Sequence, residues 1–266
     1  MNNNYLVNSF DDAGHPISAY VRYGTTNDER DNAFWNPSLN VLYFGQGVST
    51  FNPVASIDAV GHEFGHGISD LELGWPYSGN RAAFHEGMSD IWGIIFENRI
   101  RPHTIWKIGE QVTISKDCIR NIQNPSDPNA LTQISDTYLS TTYNNGNQYV
   151  RSGVFSYWFY LLVNGGSGVN DVGNSYTVHG IGMDYAEELI VESVYNNYLN
   201  FNTTYPTIRT SMVNAANTLF GTNSFQTKQV ENAWYAVGVG SQPTQVTITG
   251  AKPVCYSTGE TYTANN

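Results

Sequence analysis

Apolar residues fall into two regimes along the chain. Up to residue 53 they come in short, β-prone runs bounded by turn residues. Ile17 to Tyr23 follows a Gly14-His15-Pro16 turn signal, and Val41 to Phe44 is closed by Gly45-Gln46-Gly47. From Val54 the period becomes helical. Ile57, Val60, Phe64 and Ile68 recur at the spacing of one helix face, and Gly74-Trp75-Pro76 ends the segment. A second helix is predicted from Ala82 to Arg99, with Met88, Ile91, Trp92 and Ile95 on one side and Pro102 as its stop. Residues 117–150 are rich in Asn, Asp, Ser and Pro and read as a long surface loop. Helical patterns resume at Gly153–Val163, Gly180–Leu199, Tyr205–Phe220 and Phe225–Val237.

Strands first and helices afterwards predict an α+β fold with segregated elements. It divides into a short β-rich lobe (1–53), a mainly α-helical domain (54–240) and a segment at 241–266. The last, with its strand-like Gln245-Val246-Thr247-Ile248-Thr249, reads as a linker into a further β domain. No internal repeat is visible.

Composition narrows the function classes. Charged residues make up only 13% of the 266, against a usual share of about 25%. A lightly charged chain with 18 Tyr and many Asn suits an extracellular protein. The net charge of −11 argues against nucleic acid, whose phosphates need a basic face. No run of 18 apolar residues exists to span a membrane, and Met1-Asn2-Asn3-Asn4 does not open a signal peptide. The two cysteines, Cys118 and Cys255, are too few for a disulfide framework or a thiolate metal site; one bridge or two free thiols both fit.

The segment that carries chemistry is His62-Glu63-Phe64-Gly65-His66, inside the first predicted helix. Residues four apart share a helix face, so both imidazoles can reach one metal. Zinc accepts such nitrogens at about 2.0–2.1 Å. Glu63 then borders the open side of the metal, where a carboxylate can take a proton from water. A catalytic zinc needs a third protein ligand and an open position. Glu86 lies 20 residues after His66, early in the second helix, and an antiparallel helix pair would bring it to the two histidines. Asp90, one turn on, could accept the free ring N–H of a zinc histidine and fix its tautomer.

Together these residues resemble the thermolysin-like zinc metallopeptidases. Asn32-Ala33-Phe34-Trp35-Asn36 looks like that family's substrate-binding edge, Tyr77 matches its active-site tyrosine, and Trp106-Lys107-Ile108-Gly109-Glu110 follows the second helix as in the family. Val178-His179-Gly180-Ile181-Gly182 and Ala233-Trp234-Tyr235-Ala236-Val237-Gly238-Val239 match its helical domain, so the likeness covers roughly residues 15–240. The resemblance implies a secreted, monomeric endopeptidase acting on peptides and proteins. Its implied parts are one zinc on His62, His66 and Glu86, Glu63 as the base, and Tyr77 as an oxyanion donor. Asn32 and the Ala33 carbonyl would bind substrate backbone, and Arg120 a substrate carbonyl. Phe51, Val54, Ala59, Ile108 and Ile119 would line an apolar pocket for the residue after the scissile bond. Asp58, Glu97 and Glu110 match calcium-ligand positions. Ile105 and Lys107 replace two acidic positions of the family, so at most one calcium is expected there.

Two departures stand out. Tyr149 occupies the place of the family's oxyanion histidine, and Asn144 that of the Asp orienting it. Tyr149 is therefore the candidate second donor, and His179, at a predicted helix start, is expected to be structural. Only about 55 residues precede the zinc helix, fewer than the family's N-terminal lobe has. A zinc-binding module that holds peptides without turnover is the alternative that these departures favour. The intact Glu63 favours the enzyme.

Overall fold

The protein is seen here in a computed structural model that describes residues 14, 16–74, 77, 80–102, 106–196, 198–199, 204–243, 247–249 and 263–265. Cys255 and Ile105 lie outside the described residues. Cys118 is buried with a free thiol.

A three-stranded sheet opens the fold, made of β1 (Ser18–Tyr23), β2 (Ala33–Asn36) and β3 (Val41–Gly45), with helix α1 (Asn27–Arg30) between β1 and β2. The strand order is β1-β3-β2, with β1 parallel and β2 antiparallel to β3. Its inner face carries Trp35, Leu42 and Phe44, packed against Phe64 of α2 (Ile57–Leu73). The alternate positions Tyr20, Phe34 and Tyr43 stack their rings on the other face, as the period-2 geometry of strands requires. Strand β2 is an edge of this sheet, which leaves one row of its backbone groups unpaired by any strand.

Helix α2 ends where Gly74 adopts φ 58°, a left-handed cap favourable to glycine, and its N–H closes on the Ser69 carbonyl. Helix α3 (Asn80–Ile100) then packs against α2 at backbone contact. A Cβ on Gly65 would lie 2.8 Å from Ser89 Cα, and one on Gly61 3.0 Å from Gly93 Cα. This glycine seam is what brings α2 and α3 so close.

After α3 come β4 (Lys107–Ile108) and β5 (Arg120–Asn121), paired antiparallel, then the short helices α4 (Thr141–Asn145) and α5 (Gln148–Arg151) and the longer α6 (Gly153–Asn164). Residues 117–150 thus hold β5 and two local helices, each N-capped by a side chain: Ser140 accepts from Tyr143 N–H, and Asn147 from Tyr149 and Val150 N–H. A hairpin of β6 (Gly166–Val169) and β7 (Ser175–Val178) follows, which helical periodicity did not reveal. Helix α7 (Met183–Tyr195) is shorter than the predicted 180–199, because Gly182 at φ 83° sets its start. The chain continues through α8 (Tyr205–Phe220), α9 (Phe225–Ala236) and the paired strands β8 (Thr247–Thr249) and β9 (Thr263–Asn265).

One apolar core joins α3, α6, α7, α8 and α9. Its centre is aromatic: Trp158 stacks on Trp234 at 4.6 Å, and Phe155 lies beside both. No helix among the described residues is long and apolar enough to cross a membrane.

Candidate active site

The α2/α3 seam places the chemistry. His62 and His66 point from α2 toward α3, which answers with Glu86. His62 Nε2 lies 3.4 Å from Glu86 Oε2, and His66 Nε2 3.6 Å from Glu86 Oε1. Among the described residues these three form the one group of His, Cys, Asp or Glu donors whose ligand atoms all lie within 4.8 Å of one another. Two imidazole nitrogens and one carboxylate fit a zinc site that keeps an open position.

The surroundings hold the ligands in place. His62 Nδ1 lies 2.9 Å from Asp90 Oδ1. Arg120 in turn grips Asp90 in a fork, Nε to Oδ2 at 2.9 Å and Nη2 to Oδ1 at 2.6 Å, with Nη2 3.9 Å from Glu86. The sequence did not reveal this buried pair, since β5 and α3 are far apart in the chain. His66 turns Nδ1 to Nδ1 of the buried His85 at 3.5 Å.

Electrostatics follow from this packing. Burial opposes a charged His62, but Asp90 and Glu86 outweigh it and raise the imidazole to about 10. Burial, with His62 beside it, lowers His66 to about 3. Burial raises the Glu63 carboxyl to about 7, and Glu86 adds to it against His62 and the Trp35 N–H. A cation at the three ligands would draw Glu63 down again.

Glu63 is aimed by the edge strand. Trp35 N–H donates to Glu63 Oε2 at 3.0 Å, a contact no sequence spacing signals. Backbone groups two apart on a strand point the same way, so those of Ala33 face the same cleft. Tyr77 donates its hydroxyl to Glu86 Oε1, and Tyr149 is its other hydroxyl partner.

All of this opens into a cavity of about 670 Å³. Its lining includes Asn32, Ala33, His62, Glu63, His66, Tyr77, Glu86, Arg120 and Tyr149, together with all five predicted pocket residues, Phe51, Val54, Ala59, Ile108 and Ile119. The loop bearing Phe51 is pinned by Asp31, whose carboxylate accepts from the N–H groups of Val48, Ser49, Thr50 and Phe51.

Other predicted residues lie elsewhere. His179 is exposed and outside the cavity lining, and its N–H donates to Gln229. Asn144 donates to the Leu139 carbonyl. Asp58 accepts from Gly109 N–H through one carboxylate oxygen, while its other oxygen and Glu110 Oε2 are buried without a hydrogen-bond partner. The Gln111 amide donates to Glu110 at 2.9 Å and to Glu97 at 3.4 Å, so Asp58, Glu97 and Glu110 form a looser set than the histidine site.

The chain is similar to known proteins in sequence and in fold. Residues 74–239 match the profile of the thermolysin metallopeptidase alpha-helical domain, and residues 1–70 that of the thermolysin metallopeptidase catalytic domain. Bacillolysin of Bacillus cereus is 33% identical over 237 residues, covering 87% of this chain and 40% of that protein. Thermolysin of Alicyclobacillus acidocaldarius subsp. acidocaldarius is 33% identical over 235 residues, covering 87% of this chain and 41% of that protein. The chain thus spans about two fifths of the length of these curated relatives. Among solved structures, the precursor of protealysin, a metalloproteinase from Serratia proteamaculans, superposes with a TM-score of 0.70 at 26% identity, covering 88% of this chain and 72% of that one. From the two-histidine helix to the buried helical core, the chain belongs to the thermolysin metallopeptidase family.

Proposed function

We propose that the protein is a secreted zinc endopeptidase that cleaves before bulky apolar residues. One observation carries the reading: the Nε2 atoms of His62 and His66 converge with Glu86 beside a buried Glu63, at the end of an apolar-walled cavity. Zinc bound there supplies a Lewis acid that activates water and polarises the peptide carbonyl.

The chain's own groups do the rest. An extended peptide adds along the free edge of β2, held by Asn32 and the Ala33 carbonyl. Arg120 reaches the carbonyl after the scissile bond from its anchor on Asp90. The apolar pocket takes the next side chain, and burying a Leu, Ile or Phe there contributes about 1.5–3 kcal/mol. Glu63 takes the proton of the attacking water and passes it to the leaving amine. Tyr77 and Tyr149 present hydroxyls to the oxygen that gains charge. Asp90 keeps His62 oriented. One calcium between Asp58, Glu97 and Glu110 would satisfy the two unpartnered carboxylate oxygens. The chain divides into a lobe at 1–53, the catalytic helical domain at 54–240, and a segment at 241–266 leading to a further β domain. It acts as a monomer.

The test is hydrolysis of a quenched peptide library by the zinc-loaded protein beside Glu63→Gln. Cleavage before Leu, Ile or Phe is expected, reduced about 10²–10⁴-fold in the variant and abolished by a chelator. Zinc binding with no turnover in either protein would replace the enzyme with a peptide-holding module, the reading that Tyr149 in place of the family's histidine supports.

A further inference from the structure

We infer that His85 is a positioning residue for the metal: it accepts the ring proton of His66 and is itself held with its own proton on Nε2. The inference rests on the zinc reading of His62, His66 and Glu86.

Both histidines of α2 direct Nε2 at Glu86 and Nδ1 at α3. A neutral imidazole has one N–H, and coordination through Nε2 leaves it on Nδ1. For His62 that nitrogen lies 2.9 Å from the carboxylate of Asp90. For His66 it meets Nδ1 of His85 at 3.5 Å, with the ring centroids 5.6 Å apart and the planes tilted by 30°. Two Nδ1–H groups cannot face each other, so His85 must offer a lone pair there and carry its hydrogen on Nε2. His85 is 3% exposed, and the Tyr77 ring meets both imidazoles edge-on at 5.6 Å. Both imidazoles also line the cavity, so the His66–His85 contact lies at its wall beside Tyr77. One ligand is thus backed by a carboxylate and the other by a neutral imidazole, a weaker acceptor.

The test compares zinc affinity of the whole chain as wild type, His85→Ala and His85→Asn, by competition with dipicolinate. Nitrogen-15 spectra of the zinc-loaded imidazoles complete it. Losing the partner of a metal-bound histidine lowers affinity about 10–100-fold, which is the drop expected for His85→Ala. His85→Asn keeps an acceptor oxygen and should stay close to the wild type. The spectra should show His85 protonated on Nε2 only. An affinity unchanged in His85→Ala, an equal loss in His85→Asn, or a proton on His85 Nδ1 would overturn the inference. If His85→Ala does not fold, His85→Asn and the wild-type spectra still decide. Wild-type protein that binds no zinc would sink the zinc reading as well, whereas tight wild-type binding with an indifferent His85→Ala sinks only the role of His85.

Discussion

Tyr149 stands in the cavity beside Tyr77, where two hydroxyls converge on one side of the ligands. A phenol can donate one hydrogen bond to a developing oxyanion, as an imidazole can, but without an Asp to orient it. The neighbouring hydroxyl of Tyr77 is what orients Tyr149 here. Tyr149→Phe keeps the ring and removes only the donor. Its kcat should fall about 10²–10³-fold, the usual effect of one lost oxyanion donor, while zinc content and KM change little. A kcat equal to the wild type would leave Tyr77 as the working donor and Tyr149 as a wall of the cleft.

The helix pair α2/α3 is the element on which the site depends. Its ligands come from two helices whose separation is set by Gly61, Gly65 and Gly93. A methyl at Gly65 would press on Ser89 Cα and on Trp92, whose Cβ would be 3.1 Å away. Backbone cannot yield as a flexible side chain does. Gly65→Ala should therefore cost about 1–3 kcal/mol by overpacking. Because the helices must part between His62 and Glu86, it should also weaken zinc binding. Thermal melting and chelator competition measure the two effects. A lower Tm with unchanged zinc affinity would show that the ligands move together and that the seam serves only the fold.

At the scale of the molecule, the lobe bearing β2 and the helical domain meet across the cleft, and Asp58 of α2 is tied to Gly109 beyond α3. A calcium held by Asp58, Glu97 and Glu110 would brace α2, α3 and the segment after β4 together. A ligand that binds only the folded state stabilises it by about 2.7 kcal/mol at a hundredfold excess over its Kd. That corresponds to roughly 5–10 °C in Tm for a chain of this size. Adding calcium to the zinc-loaded protein should raise Tm in this way, and Asp58→Asn should remove the response. A Tm indifferent to calcium would mean that the Gln111 amide, already bridging Glu97 and Glu110, does the cation's work.

Much of this protein was legible in the chain itself. The change from short β runs to helical period gave the α+β order, and α2, α3, α6, α8 and α9 lie within a few residues of their predicted bounds. Local patterns suffice there because each helix buries a face through its own spacing. The donors of the metal site were legible too, since ligand chemistry restricts them to few residue types at helical spacing. The hairpin β6/β7 and the short helices α4 and α5 were not, because they rest on turn and cap geometry that carries little hydrophobic period. Nor could the chain reveal that Trp35 N–H holds Glu63, that Arg120 grips Asp90, or that His85 faces His66. Those contacts join residues 19 to 30 positions apart and depend on how closely two helices, the edge strand β2 and the distant β5 approach. Sequence determined which groups could do the chemistry, because that is a property of side chains. Their relative distances and proton partners were decided only by the tertiary structure, because both depend on packing between elements that no local pattern encodes.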